Sequence, residues 1–282
     1  MTTEYKQHYM GDLKSVLLAT DNTEHSEGAI KEAIYIAMNC GAKLSVLQVL
    51  QINPEFATEG HKYVEQMEIS CRLHFDHIRE LSAGQNVEIE SVCRRTDKPH
   101  EVIVEEANKR KADVIVMGRR GWTGLKRFVM GSVTAKVIAS SPCKVLIVPA
   151  GATVKSEIIM LATDGSKYSE AAETEALSMV RRCSHMQKFI VLSAAATSSK
   201  LVDAKKNIEK IEKKALGLGI DIEPVAAVGK PHEVILQTAK EKKCDLIILG
   251  TYGRTGVKRL MVGSVSEKVI TYTTCAVLIA KI

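Results

Sequence analysis

Gly118, Gly121, Gly131 and Ser132 stand at a spacing suited to holding an anion, and the set returns 132 positions later as Gly250, Gly253, Gly263 and Ser264. Each copy follows a short apolar run, Val114–Met117 or Leu246–Leu249. Each precedes apolar residues at helical period, Val133, Val137 and Ile138 or Val265, Val269 and Ile270. Glycines let a backbone approach an anion closely, and a helix start offers unpartnered N–H groups and a favourable dipole. Such a segment can cradle phosphate. A lone glycine pair is usually a tight turn; the full spacing, met twice, is more specific. Neither copy places Gly-Lys-Ser/Thr at the helix start, so the lysine and Mg²⁺ arrangement of a Walker loop is not expected.

Other groups could join this chemistry. Asp21 and Asp164 end the first apolar run of each copy. Each can cap the helix that follows or stand beside a ligand, and a carboxylate near a polyphosphate calls for Mg²⁺ to offset repulsion. Arg119 and Arg120 lie inside the first loop where the second has Thr251 and Tyr252, so the first copy is expected to hold more negative charge. Lys126, Arg127, Lys258 and Arg259 fall in the nine-residue segments, as phosphate contacts or as solvated loop residues. Cys71, His74 and His77 invite a zinc reading, but a closed site needs four ligands, so no metal is assigned there. No Ser-His-Asp or Cys-His set falls at the glycine loops, and no catalytic residue is named.

The repeat reaches well beyond the loops. Lys98–Ile103 recurs as Lys230–Ile235, and Val16–Asp21 is matched by Ile159–Asp164. The second match is offset by 143 positions, so the first copy carries extra residues, assigned to Gln51–Asn86. Strand Val16–Thr20 leads to a helix from about Glu24 to Cys40, with Ala29, Ile30, Ala33, Ile34 and Ala37 on one face and Gly41 as its stop. Strand Leu44–Leu50, a long helix ending before Gly84, strand Val87–Cys93 and a helix opened by Pro99 follow. Strand Asp113–Met117, the loop, helix Ser132–Ser140 and strand Val145–Val148 complete the unit, and the second copy repeats the order to Val277–Ala280. Alternation of this kind predicts an α/β fold with a parallel sheet and right-handed crossovers. Ligands in such sheets bind beyond the carboxyl ends of strands. Asp21 should therefore meet Gly118–Gly131, and Asp164 should meet Gly250–Gly263.

Length and composition agree. The 282 residues suit two domains, 1–150 and 151–282, divided within Pro149–Lys155. Aromatics are only 4% against 45% hydrophobic, so the cores must be built from Ile, Val, Leu, Ala and Met. The charge of +6 is spread along the chain without the basic face and stacking aromatics of a nucleic-acid binder. Seven scattered cysteines without a C-x-x-C suit reduced thiols and a cytoplasmic location. No apolar run approaches the roughly 18 residues of a membrane span, and the polar start resembles no signal peptide.

With these residues in place, the chain resembles the universal stress protein family in its tandem two-domain form. The ATP-binding members carry G-x-x-G, nine residues, then G-S/T, as both copies do here. The resemblance implies two doubly wound domains, each a five-stranded parallel sheet of order 3-2-1-4-5. It implies ATP, ADP or AMP as ligand, with Mg²⁺ as a candidate companion. Gly118, Arg119, Arg120, Gly121, Gly131, Ser132 and Val133, and in the second copy Gly250, Gly253, Gly263, Ser264 and Val265, would wrap phosphates and ribose. Asp21 and Asp164 would stand near the nucleotide. Ala19 and Ala162 would line the base, with Leu44 and Phe189 facing it and Met117 and Leu249 packing on ribose or base. The family's Asp-x-Ser survives as Asp164-Gly165-Ser166, whereas the first copy has Asp21-Asn22-Thr23, with Thr23 expected to cap the helix. Strands Val145–Val148 and Val277–Ala280 match the family's pairing edges and imply an intrachain pseudo-dimer, with a further homodimer left open. The expected function is a nucleotide-dependent regulatory or binding module of the stress-response type. Two alternatives stand beside it: an ATP-using enzyme employing Lys126 or Lys258, and an assembly module with permanently bound nucleotide.

Overall fold

Among the described residues, each half builds five strands and four α-helices in alternation. The computed structural model describes residues 10–11, 13–51, 61–119, 130–251 and 262–281. The first half runs β1 (Ser15–Thr20), α1 (Glu27–Cys40), β2 (Lys43–Gln51), α2 (His61–Leu81), β3 (Ile89–Thr96), α3 (Pro99–Lys109), β4 (Val114–Gly118), α4 (Ser132–Ser140) and β5 (Lys144–Val148). The second runs β6 (Ile158–Ala162), α5 (Lys167–Arg182), β7 (Lys188–Ala195), α6 (Leu201–Leu216), β8 (Glu223–Val228), α7 (Pro231–Glu241), β9 (Leu246–Gly250), α8 (Ser264–Tyr272) and β10 (Ala276–Ala280).

Local chemistry accounts for the boundaries. Gly41 ends α1 in a left-handed conformation, φ +63°, which a glycine adopts without steric cost. Pro99 and Pro231 sit in the first turns of α3 and α7, where a missing N–H forfeits nothing. The start of each first strand is pinned by the aspartate that precedes the fourth. Asp113 accepts from the N–H groups of Lys14 (2.7 Å) and Ser15 (2.9 Å). Asp245 accepts from Ser156 (2.6 Å), Glu157 (3.0 Å) and Ile158 (2.9 Å). These bonds join the first and fourth strands, the pair whose far ends carry the loops of interest.

The strands form one sheet in the order β3-β2-β1-β4-β5-β10-β9-β6-β7-β8, so each half has the order 3-2-1-4-5. Pairing within each half is parallel. The halves meet through β5 and β10, which pair antiparallel with Leu146 opposite Leu278. The pseudo-dimer thus forms within the chain, along the two edges the resemblance singled out. Strands β4 and β9 are buried along their whole length, as parallel strands between helical layers must be. One face of the sheet packs on α1, α2, α5 and α6, the other on α3, α4, α7 and α8. The second helix of the first half, 21 residues against 16 for α6, carries part of the extra length there. Among the described residues, no helix is long and apolar enough to cross a membrane.

Candidate functional site

The two glycine segments close in the same way. Gly131 donates to the carbonyl of Arg119 (3.1 Å), and Gly263 donates to that of Thr251 (3.0 Å). These bonds bring the start of α4 back to the end of β4, and α8 back to the end of β9. Thr134 and Ser266, in the first turns, then donate to the carbonyls of Gly118 (3.3 Å) and Gly250 (2.9 Å). Gly131 and Gly263 occupy the N-cap positions with nearly equal dihedrals, φ −58° and −60°. An α-helix leaves its first N–H groups without intrahelical partners, here those of Ser132–Val133 and Ser264–Val265, and they carry the positive end of the dipole. Ser132 and Ser264 are exposed; Val133 and Val265 are half-buried. Arg120, Gly121 and Gly253 lie outside the described residues, as do Lys126, Arg127, Lys258 and Arg259.

Ala19 and Met117 are the next-to-last residues of neighbouring strands β1 and β4 and are paired in register, both on the face covered by α3 and α4. Ala162 and Leu249 hold the corresponding positions of the second half and share its equivalent face. Leu44 and Phe189 do not join them. Leu44 pairs with Val16 at the amino end of β2, and Phe189 with Ile159 at the amino end of β7. Both are buried on the opposite face of the sheet. At about 3.3 Å per residue, each is more than 10 Å from the carboxyl end where the cradle lies, so neither can face a base there. Val49 and Ala194, half-buried and packed on the same core as Ala19 and Ala162, stand at the carboxyl ends of β2 and β7 on the face that Ala19 and Ala162 share. Counting from the end of each strand rather than its start would have found them.

Arg119 also departs from its expected part. Its guanidinium turns across the seam and donates to the carbonyl of Thr273 (2.6 Å) and to that of Ile270 (3.4 Å), at the C-terminal end of α8. The antiparallel join of β5 and β10 sets that helix end beside the loop, and a cation is favoured at a helix C-terminus. Thr251, its counterpart, is too short for this. Lys281 instead donates to the carbonyls of Ile138 and Ala139 at the end of α4.

Asp21 follows β1 directly, and Asp164 follows β6 after Thr163. Asp164 Oδ1 accepts from the N–H of Ser166 (3.0 Å), and Ser166 Oγ caps α5 by accepting from Ser169 N. In the first half Thr23 does not cap. Its hydroxyl donates to Asp21 Oδ1 (2.8 Å), and a 3-10 turn, Glu24–Ser26, precedes α1. Asn22 takes φ +61° where the second half has Gly165 at φ +71°, a left-handed position that asparagine tolerates better than most residues. Asp21 Oδ2 is buried with no hydrogen-bond partner among the described residues.

Behind the two aspartates the halves differ. Thr20 Oγ1 lies 3.0 Å from Ser26 Oγ and 3.0 Å from His74 Nε2. Burial pushes the His74 imidazole below the ordinary histidine range, the neighbouring His77 adds to this, and the Asp21 carboxylate opposes it. Thr163 instead donates to the buried Glu173 carboxylate (2.8 Å), whose other oxygen is 3.4 Å from Lys214 Nζ. The signal was a polar residue on an apolar helix face: Glu173 among Ala172, Ala176 and Leu177, and His74 beside Phe75 and Ile78. Cys71, His74 and His77 do not converge. Cys71 and His74 are buried, His77 is exposed, and no group of three metal-ligating side chains occurs among the described residues.

A doubly wound sheet whose fourth strand leads to a helix opened by Gly-Ser, built twice, defines a tandem doubly wound α/β protein. The chain belongs to the universal stress protein family: the family model matches residues 13–149 and again 155–281. It is similar to a universal stress protein of Thermus aquaticus, 34% identical over 137 residues, which covers 48% of this chain and 98% of that protein. It is also similar, at 23% identity over 304 residues, to universal stress protein E of Salmonella typhi, covering 96% of this chain and 95% of the relative. In fold it matches a universal stress protein from Archaeoglobus fulgidus with a TM-score of 0.77 over 95% of this chain and 98% of that one, at 21% identity.

Proposed function

We propose that this chain is an adenine-nucleotide-binding module, with one site in each of the units 1–150 and 151–282, and that occupancy by ATP, ADP or AMP biases its conformation or choice of partner. The observation that carries this reading is the twofold cradle: a glycine N-cap, a backbone bond closing the loop, and helix N–H groups directed out of it. In this reading the N–H groups of Ser132–Val133 and Ser264–Val265 hold phosphate oxygens, and the serine hydroxyls donate beside them. Ala19 and Met117, like Ala162 and Leu249, supply an apolar floor. Asp21 offers its unpartnered Oδ2 to a ribose hydroxyl or to Mg²⁺. A single carboxylate suits Mg²⁺, which keeps most of its waters and takes the rest of its shell from phosphates; bound there, it would neutralise charge between Asp21 and the phosphate tail. A ligand moves a population only through differential affinity, and the loop–helix junction is the element whose N–H groups an anion would order.

The test is to denature freshly purified chain and identify released small molecules by mass, then titrate stripped protein calorimetrically with ATP, ADP and AMP, with and without Mg²⁺. The expected result is adenine nucleotide at up to two per chain. Empty protein that shows no heat with millimolar nucleotide overturns the reading.

A further inference from the structure

Helix α2 and the edge strand β3 are joined by a file of side-chain contacts. Glu68 pairs with Arg95 at one end, and Arg79 Nη2 donates to Ser91 Oγ (3.2 Å) at the other. Between them Cys71, 1% exposed, stands one turn along α2 from Glu68, and Cys93 stands between Ser91 and Arg95 on one face of β3, so the two thiols are neighbours. Cys93 is only partly buried and lies on a strand with no outer neighbour among the described strands. We propose that Cys71 and Cys93 form a peroxide-reactive dithiol whose oxidation to a disulfide straps α2 onto β3.

The pair divides the chemistry between a nucleophile and a resolving thiol. The neighbouring Cys93 side chain and burial push the Cys71 thiol up and keep it protonated, whereas the Cys71 side chain and the Arg94 charge hold Cys93 below the usual thiol value. The thiolate is the reactive form. With hydrogen peroxide as oxidant, the Cys93 sulfur gives an electron pair to one peroxide oxygen. The O–O bond breaks, hydroxide leaves, and Cys93 becomes a sulfenic acid. The Cys71 sulfur then attacks the Cys93 sulfur, the S–O bond breaks, and the oxygen departs as water with the Cys71 proton. Hydroxide takes up the proton first lost by Cys93, so two thiols and one peroxide give one disulfide and two waters.

Four of the other five cysteines supply internal controls. Burial pushes the thiols of Cys143, Cys183 and Cys275 up, and that of Cys244 up to about 12. The second half has no such pair: Ala226 of β8 stands where Cys93 stands in β3, and α6 carries no cysteine. The strap falls close to β1, because Ser70 Oγ accepts from Asn22 Nδ2 (3.2 Å) and His74 bonds Thr20 one turn along α2. Oxidation would fix the helix in the position from which it makes those contacts, in the first half alone.

The experiment treats the full chain with hydrogen peroxide, alkylates it with iodoacetamide under denaturing conditions, and maps the peptides by mass spectrometry. The expected product is a Cys71–Cys93 cross-linked peptide, reversed by dithiothreitol, with Cys143, Cys183, Cys244 and Cys275 alkylated. Cys71→Ser should leave a sulfenic acid at Cys93 that dimedone traps, and Cys93→Ser should yield no cross-link. Recovery of both cysteines as separately alkylated thiols from peroxide-treated wild-type chain would overturn the proposal. So would a cross-link from Cys93 to any other cysteine.

Discussion

Replacing Gly250 by alanine separates two reasons for a glycine at the end of β9. A Cβ built there would lie 2.4 Å from the Tyr168 carbonyl oxygen and 3.0 Å from its carbonyl carbon. Both are backbone atoms in the first turn of α5, so no side chain can turn aside to relieve the clash. The helix start must lift from the sheet, an overpacking cost of about 1–3 kcal/mol. At roughly 2–4 °C per kcal/mol for a chain of this order of size, the thermal midpoint should fall by several degrees. Circular dichroism melts of the nucleotide-free variant measure this directly. Gly263→Ala is the companion, because φ −60° with ψ 141° is open to any residue. It should cost less than about 1 kcal/mol in the absence of ligand, yet weaken nucleotide about tenfold or more by crowding the cradle. An unchanged midpoint in Gly250→Ala, coupled with lost nucleotide affinity, would refute the packing argument and assign that glycine to the ligand instead.

Other perturbations test the remaining framework. Arg119→Ala removes the cation from the end of α8 and should destabilise the chain by about 1–3 kcal/mol in urea unfolding, with Arg119→Lys recovering part of the loss. Asp245→Ala strips three backbone N–H groups of their acceptor and should cost about 2–4 kcal/mol; a Tm within 1 °C of wild type would count against it. His74 is held below its unfolded value of 6.5, so the unfolded chain takes up its proton first as pH falls. Its contribution to stability is therefore full above about pH 6.5 and declines below it. Urea midpoints from pH 7.5 to 5 should show this decline, and His74→Gln should flatten it.

The architecture was legible because its signals are local and repeated. The apolar runs at β4 and β9, Pro99 and Pro231, and Gly41 each name an element or its end. The +132 repeat then fixes the correspondence between halves. The positions of Gly131–Ser132 and Gly263–Ser264 at helix starts were readable for the same reason. What failed was direction within a strand. Leu44 and Phe189 open their strands, and only the sheet register shows that the opening lies at the far end from the cradle. Arg119 was misread because its partner, the end of α8, is more than 150 positions away and reaches it only through the antiparallel seam. Thr23 looked like a helix cap in sequence; the nearby Asp21 carboxylate takes its hydroxyl. The contrast between His74 and Glu173 was hidden because Thr20 is backed from the second helix of its half and Thr163 from the first helix of the other, so the repeat does not align the two residues.

The antiparallel seam has a geometric outcome for the two cradles. Strands on either side of it point in opposite senses, so the two mouths open at opposite rims of one continuous sheet. No single small molecule can bridge them, and a compact partner docked over one leaves the other free. The chain is therefore two-ended by construction, and a message between its ends must travel through shared backbone or through side chains such as Arg119 that cross the midline.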